Sequence, residues 1–261
     1  MDATGYKTVA ERKPTWEELR LQLPPDTPPP PDALLVAGSL VFVNPGHAVT
    51  VNDYSQWWTF VPQADWQHPE GAGSNLEKRW DHPVIHIAYE DAEAYCKWSG
   101  QRMPTEAEWE FASRGGKGQT RYGWGNELKP GGATMANIFQ GSFPFNDLKE
   151  DGFAGTSPVK SFAANGYGLY DMIGNAWEWT SDLYDVGYYK SLSADTLSVD
   201  PSGPLKSFDP NEPYATKRVT KGGSFLCASD YCSNYRPSAR QGSAIDSGSS
   251  NIGFRTVQDA R

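Results

Sequence analysis

The distribution of helical signals along the chain constrains its fold more than any other feature. Two helices are predicted close together: one follows His86 and ends at Gly100, and the next runs from Thr105 to Gly115. Thr105 and Glu108 form a capping box at the start of the second helix. Beyond it the sequence shows almost no helical periodicity. More than half of the chain must therefore fold as short strands and loops.

The composition also favours many short elements joined by turns. The 261 residues include 26 Gly, 20 Pro and 10 Trp, which suits turns of set geometry around a core of large rings. Apolar runs at 33–43 and 54–61 have the composition of strands, and a capping box at Thr15 predicts a short helix. The proline-dense residues 23–33 predict an extended connector. We therefore predict an irregular α+β fold in a single domain over residues 1–261.

Charge and cysteine count exclude several classes of protein. A formal net charge of −9 argues against nucleic-acid binding, because phosphate recognition needs a concentrated basic face. An acidic protein instead suits a basic peptide. We find no apolar run near the roughly 20 residues of a membrane-spanning helix, and no signal-peptide pattern. Three cysteines and no Asn-X-Ser/Thr acceptor give no sign of secretion, so we predict a cytoplasmic protein without a membrane partner.

Two loop regions, at 136–159 and 170–182, carry the hard oxygen donors that calcium prefers. The donors are Asn137, Asp147, Glu150 and Asp151 in the first loop and Asp171, Asn175 and Glu178 in the second. Calcium takes six to eight oxygens, backbone carbonyls among them. For the first loop, a solvated acidic loop remains the alternative interpretation. The second loop does not match the spacing of an EF-hand.

Cys227 and Cys232 are the strongest candidates for chemistry. A disulfide between them would close only a small loop, and a reducing compartment would oppose it. No second Cys-X-X-Cys or His-X-X-X-His accompanies them, so a tetrahedral zinc site has little support. Two thiolates without imidazole suit Cu(I), and copper with open positions carries out one-electron chemistry with O2. Ser224, Tyr231 and Tyr235 are near enough in the sequence to orient an oxygen species.

The other thiol and the imidazoles have simpler interpretations. Cys96 falls on the inward face of the first predicted helix together with Tyr95, and we expect it to be a small buried side chain. His82 and His86 are four residues apart, but Pro83 breaks the helix that would align them as metal ligands. Neither Cys96 nor this pair of histidines is therefore expected to add a ligand to the cysteine pair.

The chain contains four long motifs in a fixed order. They are RMPTEAEWEFASRGG at 102–116, NGYGLYDMIGNAWEWTSD at 165–182, KGGSFLCASDYCSNYRPSAR at 221–240 and DSGSSNIGFR at 246–255. Together they resemble the formylglycine-generating enzymes, the sulfatase-modifying factor family. The similarity runs from about Trp80 to Arg255 and includes ANIFQG and EDGFAGTSPV. It implies an irregular α+β fold with C-type-lectin-like topology and little regular secondary structure.

The resemblance also implies an activity. Members of the family oxidise the cysteine of a Cys-X-Pro-X-Arg segment in an unfolded sulfatase to Cα-formylglycine, using O2. By resemblance Cys227 and Cys232 are the catalytic thiols that bind Cu(I), and Ser224 is the serine beside them. Arg240 and Asn251 resemble residues of the active-site and peptide-binding region. We therefore expect an oxygen-dependent oxidoreductase of sulfatase maturation, with unfolded sulfatase polypeptide and O2 as partners.

The resemblance further implies two structural calcium sites. The first falls on Asn137, Ile138, Asp151 and Phe153, and the second on Asp171, Gly174, Ala176 and Glu178. Backbone carbonyls complete both shells, so Asp147 and Glu150 are not expected as ligands. Calcium would hold the loops that shape the substrate groove, since the fold has no long helices to do so.

Three features depart from the family pattern. Members begin with a strand-forming segment ahead of the stretch matching MDATGYKTVAE, where this sequence starts, so we expect missing opening strands and an exposed sheet edge. Ser113, Pro237 and Thr256 stand where secreted members have cysteines, which leaves Cys96 without a partner and agrees with a cytoplasmic location. Gly248 occupies a position where serine is often found.

Two other functions stay open at the level of sequence. A non-catalytic, calcium-stabilised binding module on the same fold would bind peptide without consuming O2, and missing opening strands would favour it. An oxidase of a different thiol would resemble relatives that use iron to join sulfur to small histidine-derived molecules. The sequence has no His-rich partner domain, which disfavours the second alternative.

Overall fold

The computed structural model describes residues 3–193 and 195–259. The α-helices are α1 Trp16–Leu19, α2 Tyr89–Ser99, α3 Glu106–Arg114 and α4 Tyr188–Ser191. Short 3₁₀ turns occupy Val9–Glu11, Arg20–Gln22, Asp32–Leu34, Tyr54–Gln56 and Pro130–Gly132. Within the described residues, only α2 and α3 are longer than four residues. The predicted scarcity of helix in the second half of the chain is confirmed.

The ends of α2 and α3 lie where local sequence signals place them. Glu108 N donates to Thr105 Oγ1 at 3.2 Å, and Thr105 N donates to the Glu108 carboxylate at 2.8 Å. Gly100 and Gly115 follow the two helices in the left-handed conformation, with φ of 69° and 55°, which residues with a side chain rarely adopt. Thr15 caps α1 through the same reciprocal pattern. Local physics therefore determines these boundaries.

The strands are short and form three sheets in the described part of the chain. They are β1 Gly38–Phe42, β2 Trp58–Pro62, β3 Gly141–Ser142, β4 Asn146–Asp147, β5 Trp177–Leu183, β6 Lys217–Lys221, β7 Gln241–Ala244 and β8 Ile252–Phe254. β1 pairs with β2 and β3 pairs with β4, both antiparallel. The largest sheet has the order β7-β6-β5-β8, with β8 parallel to β5. This order brings the last sequence motif beside the second one.

The two apolar runs predicted as strands form β1 and β2 only in part. The register places Leu40 opposite Phe60 in an antiparallel pair. Each strand follows a 3₁₀ turn, Asp32–Leu34 before β1 and Tyr54–Gln56 before β2. In the second turn the Asp53 carboxylate accepts a backbone N–H at 3.2 Å, which starts the turn. Side-chain composition therefore predicted the strands, while a local polar side chain sets where one of the turns begins.

Aromatic rings fill the core, as the composition predicts. Trp179 on β5 is fully buried, and its indole N–H donates to the Ile87 carbonyl at 2.9 Å. Tyr89 packs edge-on against it, with ring centroids 5.8 Å apart. Cys96 is buried in the same cluster, which confirms that prediction. The inward placement of Tyr95 was wrong: its ring is 45% exposed and packs along the surface of α2.

Asp91 on α2 holds the first described residues of the chain in place. Its carboxylate accepts hydrogen bonds from Tyr6 Oη and Val9 N, both at 3.0 Å, and from Ala88 N at 2.9 Å. Burial raises the pKa of Asp91 to about 6 despite these donors.

Residues 23–33 are mostly exposed, as expected of a connector. The helices seen in the described residues are all too short or too polar to cross a membrane.

Candidate active site and cation sites

The two cysteines lie in a compact turn that follows β6. Gly223, just after this strand, has a φ of 73°, and a Cβ added there would lie 3.0 Å from Tyr235 N. Only glycine lets the chain pass so close to its own return. Cys227 N donates to Ser224 O at 2.9 Å, and Cys232 N donates at 2.9 Å to the carbonyl four residues before it. These two turns bring the sulfur atoms together.

Cys227 and Cys232 are free thiols whose Sγ atoms lie 2.7 Å apart. Cys227 is buried, whereas Cys232 is partly exposed, so the pair is reached from the side of Cys232. Burial raises the pKa of Cys227. The hydrogen bond from Cys227 lowers the pKa of Cys232, with further donation from Asn234. These two directions favour the thiolate form at Cys232 rather than at Cys227.

The donor set of this thiol pair fits a soft monovalent ion. The described residues contain no group of three or more His, Cys, Asp or Glu side chains able to hold a metal. Zinc is almost always held by four ligands, whereas a site of only two soft thiolates suits Cu(I). Cys232 is the partly exposed thiol, so an ion would reach the pair from its side.

Ser224 and Asn251 are in direct contact beside the thiols. Asn251 Nδ2 donates to Ser224 Oγ at 3.0 Å, and Leu226 N donates to the same oxygen at 3.2 Å. Ser249 Oγ lies 2.7 Å from Asn251 Oδ1. Ser224, Asn251 and Ser249 are all buried. The structure therefore brings two predicted site residues together and adds Ser249, which sequence reasoning missed.

Three aromatic side chains pack together next to Cys232. The rings of Tyr231 and Phe143 stack with centroids 4.4 Å apart, and Trp57 meets both edge-on at 6.0 and 5.5 Å. Trp57 is buried, and its indole N–H has no partner among the described residues. Sequence reasoning placed Trp57 in a strand and did not single out Phe143, because only their tertiary proximity marks them. Tyr235 instead stacks on Tyr122 in the main core, at 6.0 Å.

Arg240 belongs to a separate buried cluster of charges. Its Nε donates to Glu106 Oε1 at 3.0 Å, and its Nη1 donates to Asp185 O at 3.0 Å. The guanidinium also lies 5.0 Å from the ring centroids of Tyr184 and Tyr189. Among the described residues, no hydrogen bond or ring contact joins Arg240 directly to the thiol pair. The predicted site residues are therefore divided between two clusters.

Asp151 organises the first predicted calcium site. Its Oδ1 accepts Phe153 N at 2.9 Å, and its Oδ2 accepts Ile138 N at 3.1 Å and Gln140 Nε2 at 2.7 Å. The Gln140 amide also contacts the Ile138 carbonyl. Asn137 lies beside this group and donates to a backbone carbonyl at 2.8 Å. The four predicted residues thus converge and offer carboxylate and carbonyl oxygens, which fits calcium; Gln140 was missed.

The second predicted calcium site borders a cavity of about 390 Å³. Asp171, Ala176 and Glu178 line this cavity, whereas Gly174, between Asp171 and Ala176 in the chain, does not. Burial raises the pKa of Asp171. Arg255 Nε and Nη2 each donate to the Glu178 carboxylate at 2.6 Å. The oxygen donors fit calcium, but Arg255 already offsets the charge of Glu178, so this site attracts a cation less than two carboxylates would.

The fold and the site together define a class of protein: an irregular α+β domain with a buried pair of free thiols in a turn after a central strand. The family model of the sulfatase-modifying factor enzyme 1-like domain matches residues 1–260. The chain therefore belongs to the sulfatase-modifying factor family, the family of the formylglycine-generating enzymes. Both the family and the fold predicted from the sequence motifs are confirmed.

Relatives of known name show the range of this family. A formylglycine-generating enzyme of Thermomonospora curvata is 45% identical over 98% of this chain and 76% of its own length. A mouse protein named inactive C-alpha-formylglycine-generating enzyme 2 is 42% identical over 78% of this chain and 58% of its own length. Treponema denticola variable protein 1 has a solved structure with a TM-score of 0.53 at 22% identity, covering 83% of this chain and 91% of its own. This last similarity concerns the fold alone.

Proposed function

We propose that the protein oxidises the cysteine of a Cys-X-Pro-X-Arg segment in an unfolded sulfatase to Cα-formylglycine, with Cu(I) as cofactor and O2 as oxidant. The observation that carries the proposal is the pair of free sulfurs 2.7 Å apart in a protein 45% identical to a formylglycine-generating enzyme. Because one relative is named inactive, the thiol pair argues for catalysis more strongly than the fold does.

The reaction converts a CH2–SH group to an aldehyde. The substrate carbon is oxidised by two electrons as a C–H hydrogen and the thiol proton leave, and water then replaces the sulfur, which departs as sulfide. O2 accepts these two electrons and two more from a thiol reductant, and becomes water. Held by Cys227 and Cys232, Cu(I) would supply a soft site for the substrate thiolate and one-electron reactivity toward O2.

The protein's own groups would bind the substrate and exclude water. The hydrogen bond from Cys227 lowers the pKa of Cys232, and Cys232 is the partly exposed thiol of the pair. Tyr231 directly precedes Cys232 and stacks on Phe143, so aromatic rings lie near this thiol. Ser224 and Asn251 add buried hydrogen-bonding groups. A substrate cysteine would therefore enter from the side of Cys232.

Two calcium ions would hold the loops around this site. The first would bind at Asn137, Ile138, Asp151 and Phe153, and the second at Asp171, Gly174, Ala176 and Glu178. The convergence of donors on Asp151 supports the first position, and the shared cavity supports the second. Both lie in long irregular segments, where cation ligation can replace regular secondary structure.

A cytoplasmic location and an arginine-bearing substrate complete the proposal. All three cysteines are free thiols, which suits a reducing compartment. The net charge of −9 favours a segment that carries a positive charge.

Mass spectrometry of a Cys-X-Pro-X-Arg peptide tests the activity directly. The peptide is incubated with the protein, Cu(I), calcium, a thiol reductant and air. We expect conversion to the aldehyde, with a rate lowered roughly 10²-fold or more in Cys227→Ser and in Cys232→Ser. Cys96→Ser is the matched control, because Cys96 is a buried thiol outside the site, and it should retain activity.

Two outcomes would contradict the proposal. Unchanged conversion in both active-site variants would show that the thiol pair is not the catalyst. Peptide binding without aldehyde formation or O2 uptake in an oxygen electrode would instead support the non-catalytic binding module.

A further inference from the structure

The hydroxyl of Ser224 has a proton that no acceptor takes. A serine oxygen can accept two hydrogen bonds and donate one. Both acceptor positions are used, by Leu226 N at 3.2 Å and by Asn251 Nδ2 at 3.0 Å. Over residues 3–193 and 195–259 no hydrogen bond donated by this hydroxyl is found, and Ser224 is 0% exposed. Since buried donors are normally satisfied, this proton is available to a bound group.

The orientation of the Asn251 amide decides whether that proton stays available. Ser249 Oγ and Asn251 Oδ1 are 2.7 Å apart, the usual length of an O–H···O bond. Asn251 Nδ2 and Ser224 Oγ are 3.0 Å apart, the usual length of an N–H···O bond. If the amide turned over, its oxygen would face Ser224 and would accept the hydroxyl proton itself. The side chain that holds the amide oxygen therefore controls the Ser224 proton.

Backbone hydrogen bonds hold Ser249 where its hydroxyl reaches the amide oxygen of Asn251. Ser249 O accepts His86 N at 2.9 Å and Ile252 N at 3.2 Å. Asn251 is held in turn, because its carbonyl accepts a backbone N–H of β5 at 2.8 Å. A Cβ added to Gly248 would lie 2.4 Å from the His86 carbonyl carbon, so no serine fits there without movement. In this chain Ser249 is the side chain of this turn that reaches Asn251.

We propose that Ser249 is a positioning residue of the active site. By donating to the amide oxygen of Asn251, it keeps the amino group on Ser224 and leaves the Ser224 proton free for the group bound at the Cys227–Cys232 pair. The identity of that group, a substrate thiolate, rests on the proposed function. No covalent bond changes in this role: the hydroxyl donates a hydrogen bond to sulfur.

A pair of isosteric variants separates the hydroxyl from packing. Ser249→Thr adds one methyl group to serine and keeps the O–H. Ser249→Val gives a side chain of the same shape as threonine, with a methyl group in place of the O–H. We expect Val to lower kcat for the peptide about five- to tenfold, which corresponds to the loss of one hydrogen bond, with KM unchanged. Threonine should restore most of the lost rate. Equal kcat for the two variants would overturn the proposal.

The Ser224→Ala background tests whether Ser249 acts through Ser224. Without the Ser224 hydroxyl, threonine and valine at position 249 should give the same kcat, because no proton remains to be directed. A difference that persists in this background would show that Ser249 acts elsewhere, and would also overturn the proposal.

A neutron crystal structure of the complete protein shows the hydrogen bonds of Ser224 and Asn251 directly, without an activity assay. We expect the Ser224 deuterium to point away from Asn251, and the Asn251 oxygen to face Ser249. A deuterium directed at Asn251 would refute the positioning role even if the protein is active. Conversely, the expected orientation in a protein that does not convert the peptide would refute the proposed function and leave the hydrogen-bond arrangement standing.

Discussion

Replacing Asp151 by asparagine tests the first cation site. In the wild type, the two carboxylate oxygens accept hydrogen bonds from different N–H groups. Oδ1 accepts Phe153 N at 2.9 Å, while Oδ2 accepts Ile138 N at 3.1 Å and Gln140 Nε2 at 2.7 Å. Asparagine has one oxygen, so its amino group must face at least one of these N–H groups. Hydrogen bonds to charged groups contribute about 1.5–3 kcal/mol. We therefore expect Asp151→Asn to lower the free energy of unfolding by about 2 kcal/mol in a chelator.

Calcium should reveal a second, larger difference. A ligand at 100 times its Kd stabilises the folded state by about 2.7 kcal/mol, and 1 kcal/mol shifts the Tm of a protein near this size by about 2–4 °C. Each occupied site should therefore raise Tm by about 5–10 °C. We expect Asp151→Asn to lose one of two such increments and to keep the other.

Asp147 provides the matched control in the same loop. Its Oδ1 alone accepts both Gln140 N at 3.4 Å and Lys149 N at 3.0 Å, so an asparagine can keep both bonds. Asp147→Asn removes the same charge and should retain the complete calcium increment. Scanning calorimetry in EGTA and across a calcium titration measures both variants. A complete increment in Asp151→Asn, or a lost one in Asp147→Asn, would refute the ligand assignment.

Two further changes probe the scaffold. Pairing with Arg102 lowers the pKa of Glu108 from 4.5 to about 2, so its stabilising effect is complete above about pH 4.5 and is lost as the pH falls toward 2. In that window the Tm of the wild type should fall more steeply with pH than that of Glu108→Gln, and parallel Tm curves would contradict this. Gly248→Ala places a Cβ 2.4 Å from the His86 carbonyl carbon, so it should cost about 1–3 kcal/mol. An unchanged denaturation midpoint would show that the backbone yields freely.

Much of the local structure could be predicted from short stretches of sequence. Thr105 and Glu108 satisfy backbone groups within three residues of themselves, and Gly115 ends its helix through its own φ of 55°. The candidate thiols could be found for a similar reason, since Cys227 and Cys232 are close in the chain and a turn joins them. Motif order then indicated the family. Tyr95 shows the limit, because helical periodicity does not say which face another element covers.

The two longer helices, their caps, the thiol pair and the family could thus be predicted without the fold, because each depends on neighbouring residues or on long motifs read in order. What surrounds the thiols depends on tertiary packing. β8 pairs with β5 and so carries Asn251 to Ser224 from 27 residues away, while Trp57 and Phe143 reach Tyr231 from distant loops. These contacts join segments whose separate patterns carry no information about each other, and the packing of one common core brings them together.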